Sequence, residues 1–256
     1  MHCWDSLPAS SRECMCSMMR LDKYIADTSG FTRSQAAKAI RSGTVLVNGL
    51  AVRKPEQKVN ELTDTVTVDG KICRYQRFHY YLLDKPTGLI TASKDPRQPT
   101  VLDLFPPEIR KQGIFPVGRL DKDTSGLLLL TNDGEFAHRV ISPRSEVNKV
   151  YRASVEGELD QVDVERFREG LILADGTRCL PAQLEILDKT ECLVTVQEGK
   201  YHQVRRMLAA VGKPVLTLRR ISIGPLALDP KLDAGEYREL EDQELCILFN
   251  MLHMEK

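Results

Sequence analysis

The run Leu127-Leu128-Leu129-Leu130 is continuous rather than alternating. Gly126 precedes it, and Thr131 and the turn signal Asn132-Asp133-Gly134 follow it. A short apolar run bounded by turn residues is the pattern of a strand buried in a sheet. Such a strand needs a domain large enough to cover it. With 256 residues the chain can supply one large domain, or a large domain plus a small one. No run of eighteen apolar residues occurs, so no transmembrane helix is expected. Residues 1–19 carry Asp5, Arg12 and Glu13 and lack the apolar core of a secretory signal.

Lys and Arg number 36 and Asp and Glu also 36, so the formal net charge is zero, but its distribution is uneven. Arg20 to Arg77 holds eleven bases and six acids, and Lys200 to Arg220 six bases and no acid. Asp229 to Lys256 holds eight acids and three bases. Two basic regions suit a nucleic-acid partner despite the zero sum, while the acidic C-terminal region reads as a solvated face. The seven cysteines are scattered and only Cys14 and Cys16 lie close together. Reduced thiols of a cytoplasmic protein are expected, with no disulfide framework and no metal site.

Residues 1–18 have no periodicity and read as a disordered extension, with Met18 or Met19 as an alternative first residue. Residues 19–72 read as a small unit. Leu21, Tyr24 and Ile25 have helical spacing, and Gly30 can stop that helix. Thr32 can cap a second helix, with Gln35 in the capping-box position, and Gly43 ends it. Ala36, Ala37 and Ile40 give that helix an apolar face. Thr44–Val47 and the segment around Val66 and Val68 read as short strands, closed by the turn pairs Asn48-Gly49 and Asp69-Gly70. Such a unit is either a helical hairpin that pads a larger domain or a compact RNA-binding module. Its order of motifs resembles the S4 domain, through Arg20-Leu21-Asp22, Ser34, Ala37, Ile40, Gly43, Val45, Val47-Asn48-Gly49 and the step from Val52 to Pro55. The resemblance implies a module that grips structured RNA through backbone and shape contacts, with Arg20, Lys23, Arg33, Ser34, Lys38 and Arg41 as its RNA-binding candidates.

After a basic linker, 73–77, strands are expected at Phe78–Leu83, Leu127–Thr131, Val150–Val155, Leu180–Leu187, Cys192–Val196 and Val215–Ile223. Helical segments are expected at Thr100–Phe105, Glu135–Val140, Val162–Arg168 and His202–Val211. Helices between mostly non-crossover strands indicate an α+β fold with a mixed, mostly antiparallel sheet over 78–245, and 246–256 is left as a tail.

The segment Gly118 to Gly134, GRLDKDTSGLLLLTNDG, raises the question of Asp121. Leu120 can anchor its loop, Thr124 and Ser125 can bond within the turn, and Gly126 lets the chain swing into the strand. A charged surface loop and a preorganised carboxylate are both open on this segment alone. Two further segments bear on the choice: Lys149-Val150-Tyr151-Arg152, and Gly199 to Met207, GKYHQVRRM, in which His202, Arg205 and Arg206 share or flank one helical face. An acid, a phenol and a guanidinium suffice to handle a flipped base, although Tyr151 also fits a core role. No phosphate loop, dinucleotide fingerprint, HExxH or calcium-loop pattern occurs, so nothing calls for ATP, NAD or a metal.

The three segments in order, with the closing Leu218-Arg219-Arg220-Ile221-Ser222-Ile223-Gly224, resemble the RNA pseudouridine synthases, in the branch acting on small-subunit ribosomal RNA. The likeness runs from about Met19 to Leu240. It implies isomerisation of uridine to pseudouridine without a cofactor. It also implies that Asp121 is the essential aspartate, Tyr151 the base-contacting tyrosine and Arg205 the basic partner that holds the carboxylate ionised. Arg119 then resembles the residue filling the gap left by the flipped nucleotide, and Leu218 the apolar pocket residue. His202 and Arg206 join them as substrate-binding candidates. Whether Asp121 attacks C1′, attacks C6 or removes the 2′ proton stays open. The implied partner is ribosomal RNA or a partly assembled subunit, met by a monomer that does not bind membranes, with uridine 516 of the small subunit as target. A large-subunit site is the alternative. A non-catalytic assembly protein and a base-releasing glycosylase are the rival functions.

Overall fold

The computed structural model describes residues 18–61 and 63–254. The chain forms two compact units that meet in sequence between Arg77 and Phe78. The expected extension at 1–18 lies outside the described residues except for Met18, and so does the Cys14–Cys16 pair. Among the described residues Cys73, Cys179 and Cys192 are free thiols, no cluster of metal-ligating side chains occurs, and no helix is long and apolar enough to cross a membrane.

The first unit runs β1 (Met18–Arg20), α1 (Leu21–Ser29), α2 (Arg33–Ser42), β2 (Val45–Val47), β3 (Leu50–Ala51), β4 (Lys58–Asn60), β5 (Val66–Val68) and β6 (Lys71–Cys73). Gly30 closes α1 in the left-handed conformation. Thr32 and Gln35 form the reciprocal capping box at the start of α2, satisfying two backbone donors that the helix leaves free. Asn48-Gly49 and Asp69-Gly70 all adopt positive φ, the geometry of tight hairpin turns, and so set the β2–β3 and β5–β6 registers. Four strands line up as β3-β2-β5-β6, while β1 pairs with β4. Leu21, Tyr24, Ile25, Ala36 and Ile40 pack on this sheet's valines to form one core. The unit extends into the expected linker: Cys73 is buried, and Tyr75 packs on Tyr24 with ring centroids 5.5 Å apart. The Tyr24 hydroxyl donates to the Cys73 carbonyl and accepts from the Tyr75 N–H, which ties 73–75 to α1.

The second unit contains β7 (Tyr80–Lys85), the short α3 (Pro107–Arg110), β8 (Phe115–Pro116), β9 (Ser125–Thr131), α4 (Gly134–Ile141), β10 (Lys149–Val155), α5 (Gln161–Glu169), β11 (Gln183–Asp188) and β12 (Glu191–Val196). It continues with α6 (Gln203–Ala210), β13 (Val215–Ile223), β14 (Leu226–Ala227), β15 (Tyr237–Glu239) and α7 (Asp242–Met251). One sheet runs β11-β12-β10-β13-β9-β7-β15, with β8 on β9 and β14 on β13. Every pairing in it is antiparallel except β13 with β9. The leucine run is continuous because β9 is covered on both faces. Leu127 and Leu129 pack with Phe136, Val140 and Leu248 on one side, and Leu128 and Leu130 with Val101, Leu102 and Phe105 on the other. A third core joins β10–β13 to α5 and α6.

The C-terminal region differs from expectation. Residues 246–252 are not a tail: α7 spans Asp242–Met251 and puts Leu248, Phe249 and Leu252 into the core beside Tyr80 and Phe136. Nor are its acids merely solvated. Arg238 bridges Asp229 and Glu244 at 2.8 and 2.7 Å, and Glu241 and Glu244 form the capping box of α7. The Arg238 hydrogen bonds hold the Glu244 carboxyl below its usual range.

Candidate active site

Asp121 lies in the loop that feeds β9, and the preceding strand fixes that loop from below. Lys85, the last residue of β7, is fully buried, and its ammonium donates to the carbonyls of Pro86, Asp121 and Thr124 at 3.0, 3.1 and 3.0 Å. Burial pulls its pKa down to about 8, against the opposing pull of the Asp121 and Asp123 charges. The segment after β7 straps the loop further. The Thr91 hydroxyl donates to the Leu120 carbonyl and accepts from the Leu120 N–H, and the Gly88 N–H donates to the Lys122 carbonyl. Leu120 is buried in the core, as its position in the sequence suggested. The Asp121 side chain stays 29 % exposed, so an immobile backbone presents a solvent-facing carboxylate.

Gly126 fixes where this loop meets the sheet. It has φ +102°, and a Cβ there would overlap the Arg220 backbone, approaching its nitrogen at 2.8 Å. The missing side chain lets the parallel strands β9 and β13 close, with Gly126 opposite Arg220. Arg220 in turn faces Tyr151 on β10. The β10–β13 register slips between Val150 and Tyr151, leaving Ile221 without an opposite residue, a device that re-aims side chains beside functional sites. Two strand spacings separate Gly126 from Tyr151, about 10 Å. Tyr151 is half-buried between two core clusters, so it has a packing role and an open edge together.

The segment before and within α6 closes the loop from the other side. His202 sits at the N-cap of α6 with φ +47°, and its Nε2 lies 3.4 Å from Asp121 Oδ1. Arg205 does not meet Asp121, as its role in the resemblance would require. Its guanidinium donates to the Asp123 carbonyl at 3.1 Å and pairs with the Asp123 carboxylate at 3.1 Å. Asp123 offers Arg205 two acceptors, whereas the side chain that approaches the Asp121 carboxylate is His202. Arg206 turns away from the loop, to the Tyr201 carbonyl and Asp175. Arg119 is exposed and has no hydrogen-bonding or ionic partner among the described residues. Leu218 is buried in the β10–β13 core, opposite Ala153.

Several polar residues near this junction escaped the sequence reading. The strand expected at Phe78–Leu83 stops short of Lys85, whereas β7 runs on to include it. The signal was present: Asp84 and Lys85 end an otherwise apolar strand. Asp84 is buried and pairs with Arg219. Arg220 is 4 % exposed, donates to the Leu127 carbonyl at 2.8 Å, approaches the Tyr151 hydroxyl at 3.4 Å and lies over its ring. Its second terminal nitrogen has no partner among the described residues. The nearby Lys149 is also drawn down to about 8, by burial and by the Arg220 charge.

In the first unit Lys23, Ser34, Lys38 and Arg41 are exposed. Arg20 and Arg33 are exposed too, but both bond Asp22, at 2.8 and 3.4 Å, so they are in part structural. The Arg20 hydrogen bonds hold the buried Asp22 carboxyl below its usual range.

Comparison with known proteins agrees with this architecture. The family model described as RNA pseudouridylate synthase matches residues 79–210, and that of the S4 domain matches residues 19–66. A protein named uncharacterized RNA pseudouridine synthase, from Bacillus subtilis, is 41 % identical over 90 % of this chain and 98 % of its own. The ribosomal small subunit pseudouridine synthase A of Escherichia coli is 39 % identical over 89 % of this chain and 99 % of its own. A crystal structure of a pseudouridylate synthase superposes with a TM-score of 0.64 at 37 % identity, over 90 % of this chain and 99 % of that one. Two domain models in this order, with relatives aligned over about nine-tenths of the chain, lead to one conclusion: the chain is a member of the RNA pseudouridine synthase family, in the branch that places an S4 domain ahead of the synthase domain.

Proposed function

We propose that this synthase isomerises uridine in ribosomal RNA, at uridine 516 of the small subunit, with Asp121 as the catalytic group. The observation that carries the role of Asp121 is its strapped loop, in which buried Lys85 holds the Asp121 carbonyl while the carboxylate faces solvent and His202. Relatives named as small-subunit synthases, aligned over about nine-tenths of the chain, support the choice of RNA. In the reaction the bond between N1 and C1′ breaks, the uracil turns while bound, C5 joins C1′ and the C5 proton leaves as N1 gains one. Atoms and electrons balance without a co-reactant. Asp121 assists the cleavage, and the half-buried Tyr151 ring supports the detached uracil beside the Arg220 guanidinium. Exposed Arg119 enters the space the flipped nucleotide vacates. Arg205 acts through Asp123, fixing the far end of the loop rather than touching the carboxylate.

The test pairs product formation with binding. Asp121→Asn should form no pseudouridine by carbodiimide-based primer extension, yet retain filter-binding affinity, because phosphate contacts supply most affinity. Asp121→Asn forming product near the wild-type rate would remove Asp121 from catalysis. Mapping pseudouridines in cells that lack the gene tests the target. Loss at uridine 516 supports it, and loss at a large-subunit uridine instead moves the site while keeping the chemistry.

A further inference from the structure

At 76 % exposure, Tyr201 is the most exposed of the large apolar and aromatic side chains among the described residues. A solitary ring in water gains nothing for the fold, yet this one is held still. Its ring stacks on His202, with centroids 3.9 Å apart and planes 17° from parallel. Its carbonyl accepts from Arg206 at 3.2 Å. The turn beneath is pinned at both ends: the Lys200 N–H donates to the Gln203 side chain at 2.9 Å, and the Gln203 amide donates to the buried Glu198 at 2.8 Å. The ring is thus carried on a pinned backbone, stacked on one side, mostly open, and separated from the Asp121 carboxylate by one residue, His202, whose imidazole reaches Asp121 at 3.4 Å.

We propose that Tyr201 is a stacking platform for the unpaired RNA base next to the target uridine. The proposal rests on the reading of Asp121 as the reacting centre. Extruding one nucleotide strips its neighbour of a stacking partner, and an aromatic face restores that contact whatever the base. The rigid setting keeps the entropy lost on binding small. A single ring is too small for a protein docking patch, which spans hundreds of square ångströms. Tyr201 is a positioning residue: it holds the strand so that the extruded uridine reaches Asp121, and takes no part in bond making.

The experiment uses the full chain and a small-subunit RNA fragment carrying 5-tritiated uridine at the target and 2-aminopurine at each neighbouring position in turn. Tritium release reports turnover, and quenching of 2-aminopurine reports stacking. Tyr201→Ala should abolish the quench at one neighbour and raise KM about 5- to 150-fold, the range that base–aromatic stacking supplies. Its kcat should change much less, and its unfolding midpoint should not move, because the ring is exposed. Tyr201→Phe should keep both KM and the quench. Retention of the quench and KM in Tyr201→Ala overturns the proposal. Equal damage in Tyr201→Phe also overturns it, in favour of a hydroxyl contact. A wild-type protein that releases no tritium from this fragment but does from a large-subunit transcript defeats the target assignment alone, and the Tyr201 series is then decided on that transcript. If Asp121→Asn releases tritium at the wild-type rate, the reading of the reacting centre fails while the Tyr201 quench still reports stacking.

Discussion

Lys85 shows how one buried charge ties stability to activity. Its ammonium is fully buried and divides three N–H groups among three loop carbonyls. Its pKa falls from 10.5 to about 8 on folding. Below pH 8 it is charged in both states. Between about pH 8 and 10.5 the unfolded chain binds a proton that the native state has lost, so its contribution to stability rises with pH. Activity should move the other way, because a neutral amine has two N–H groups and one loop carbonyl loses its donor. We expect kcat to fall through an apparent pKa near 8. In Lys85→Met the stranded carbonyls should cost roughly 1–3 kcal/mol each at most, and that high-pH stability increment should vanish. Urea denaturation of both proteins against pH, set beside kcat profiles, checks this; Lys149 titrates in both and cancels in the difference. The acidic motif around Asp121 was legible in the sequence because its residues are contiguous. The lysine beneath it was not, because its three acceptors come from positions 86, 121 and 124, which only the fold brings together.

Among the elements, the parallel pair β9–β13 sets the geometry of the centre. The sequence marks Gly126 as a swing point, and the structure adds that the Arg220 backbone leaves no room for a side chain there. Gly126→Ala combines an unfavourable φ with a backbone clash and should cost about 3 kcal/mol or more, with loss of activity. Gly134→Ala is the control. That glycine begins α4 with open space around it, so the change should be neutral or stabilise by up to about 1 kcal/mol. Thermal unfolding of the two variants separates strand approach from glycine replacement in general. Local signals placed β13, the capping box of α2 and the two tight turns, since each depends on neighbours a few residues apart. They missed α7: its apolar residues Leu245 to Phe249 form a continuous run without helical periodicity, and its stability comes from packing Leu248 and Phe249 against Tyr80 and Phe136.

At the scale of the whole molecule, the two units have separate cores, one built on the β2–β5 sheet and the others on the large sheet. Residues 78–256 alone should therefore show a cooperative unfolding transition and still convert uridine at high RNA concentration. They should bind RNA more weakly and with a flatter salt dependence. Lys23, Lys38, Arg41 and Arg53 are exposed and lack ion-pair partners among the described residues, so losing four phosphate contacts should reduce the slope of log K against log salt by about 3. Calorimetry with a salt titration of binding measures both. An unchanged slope would show that these bases do not meet phosphate.

The sequence by itself determined the two-unit plan, the mixed sheet and the motif order that marks the family, because periodicity, turn chemistry and contiguous motifs are local properties. Only the tertiary structure decided the partners: that Arg205 serves Asp123 and His202 faces Asp121, that Arg206 turns to Asp175, and that Arg220 closes on Tyr151. A guanidinium or imidazole reaches several ångströms from its backbone. Which acid it meets depends on strand register and helix placement, and those are settled by packing over the whole domain.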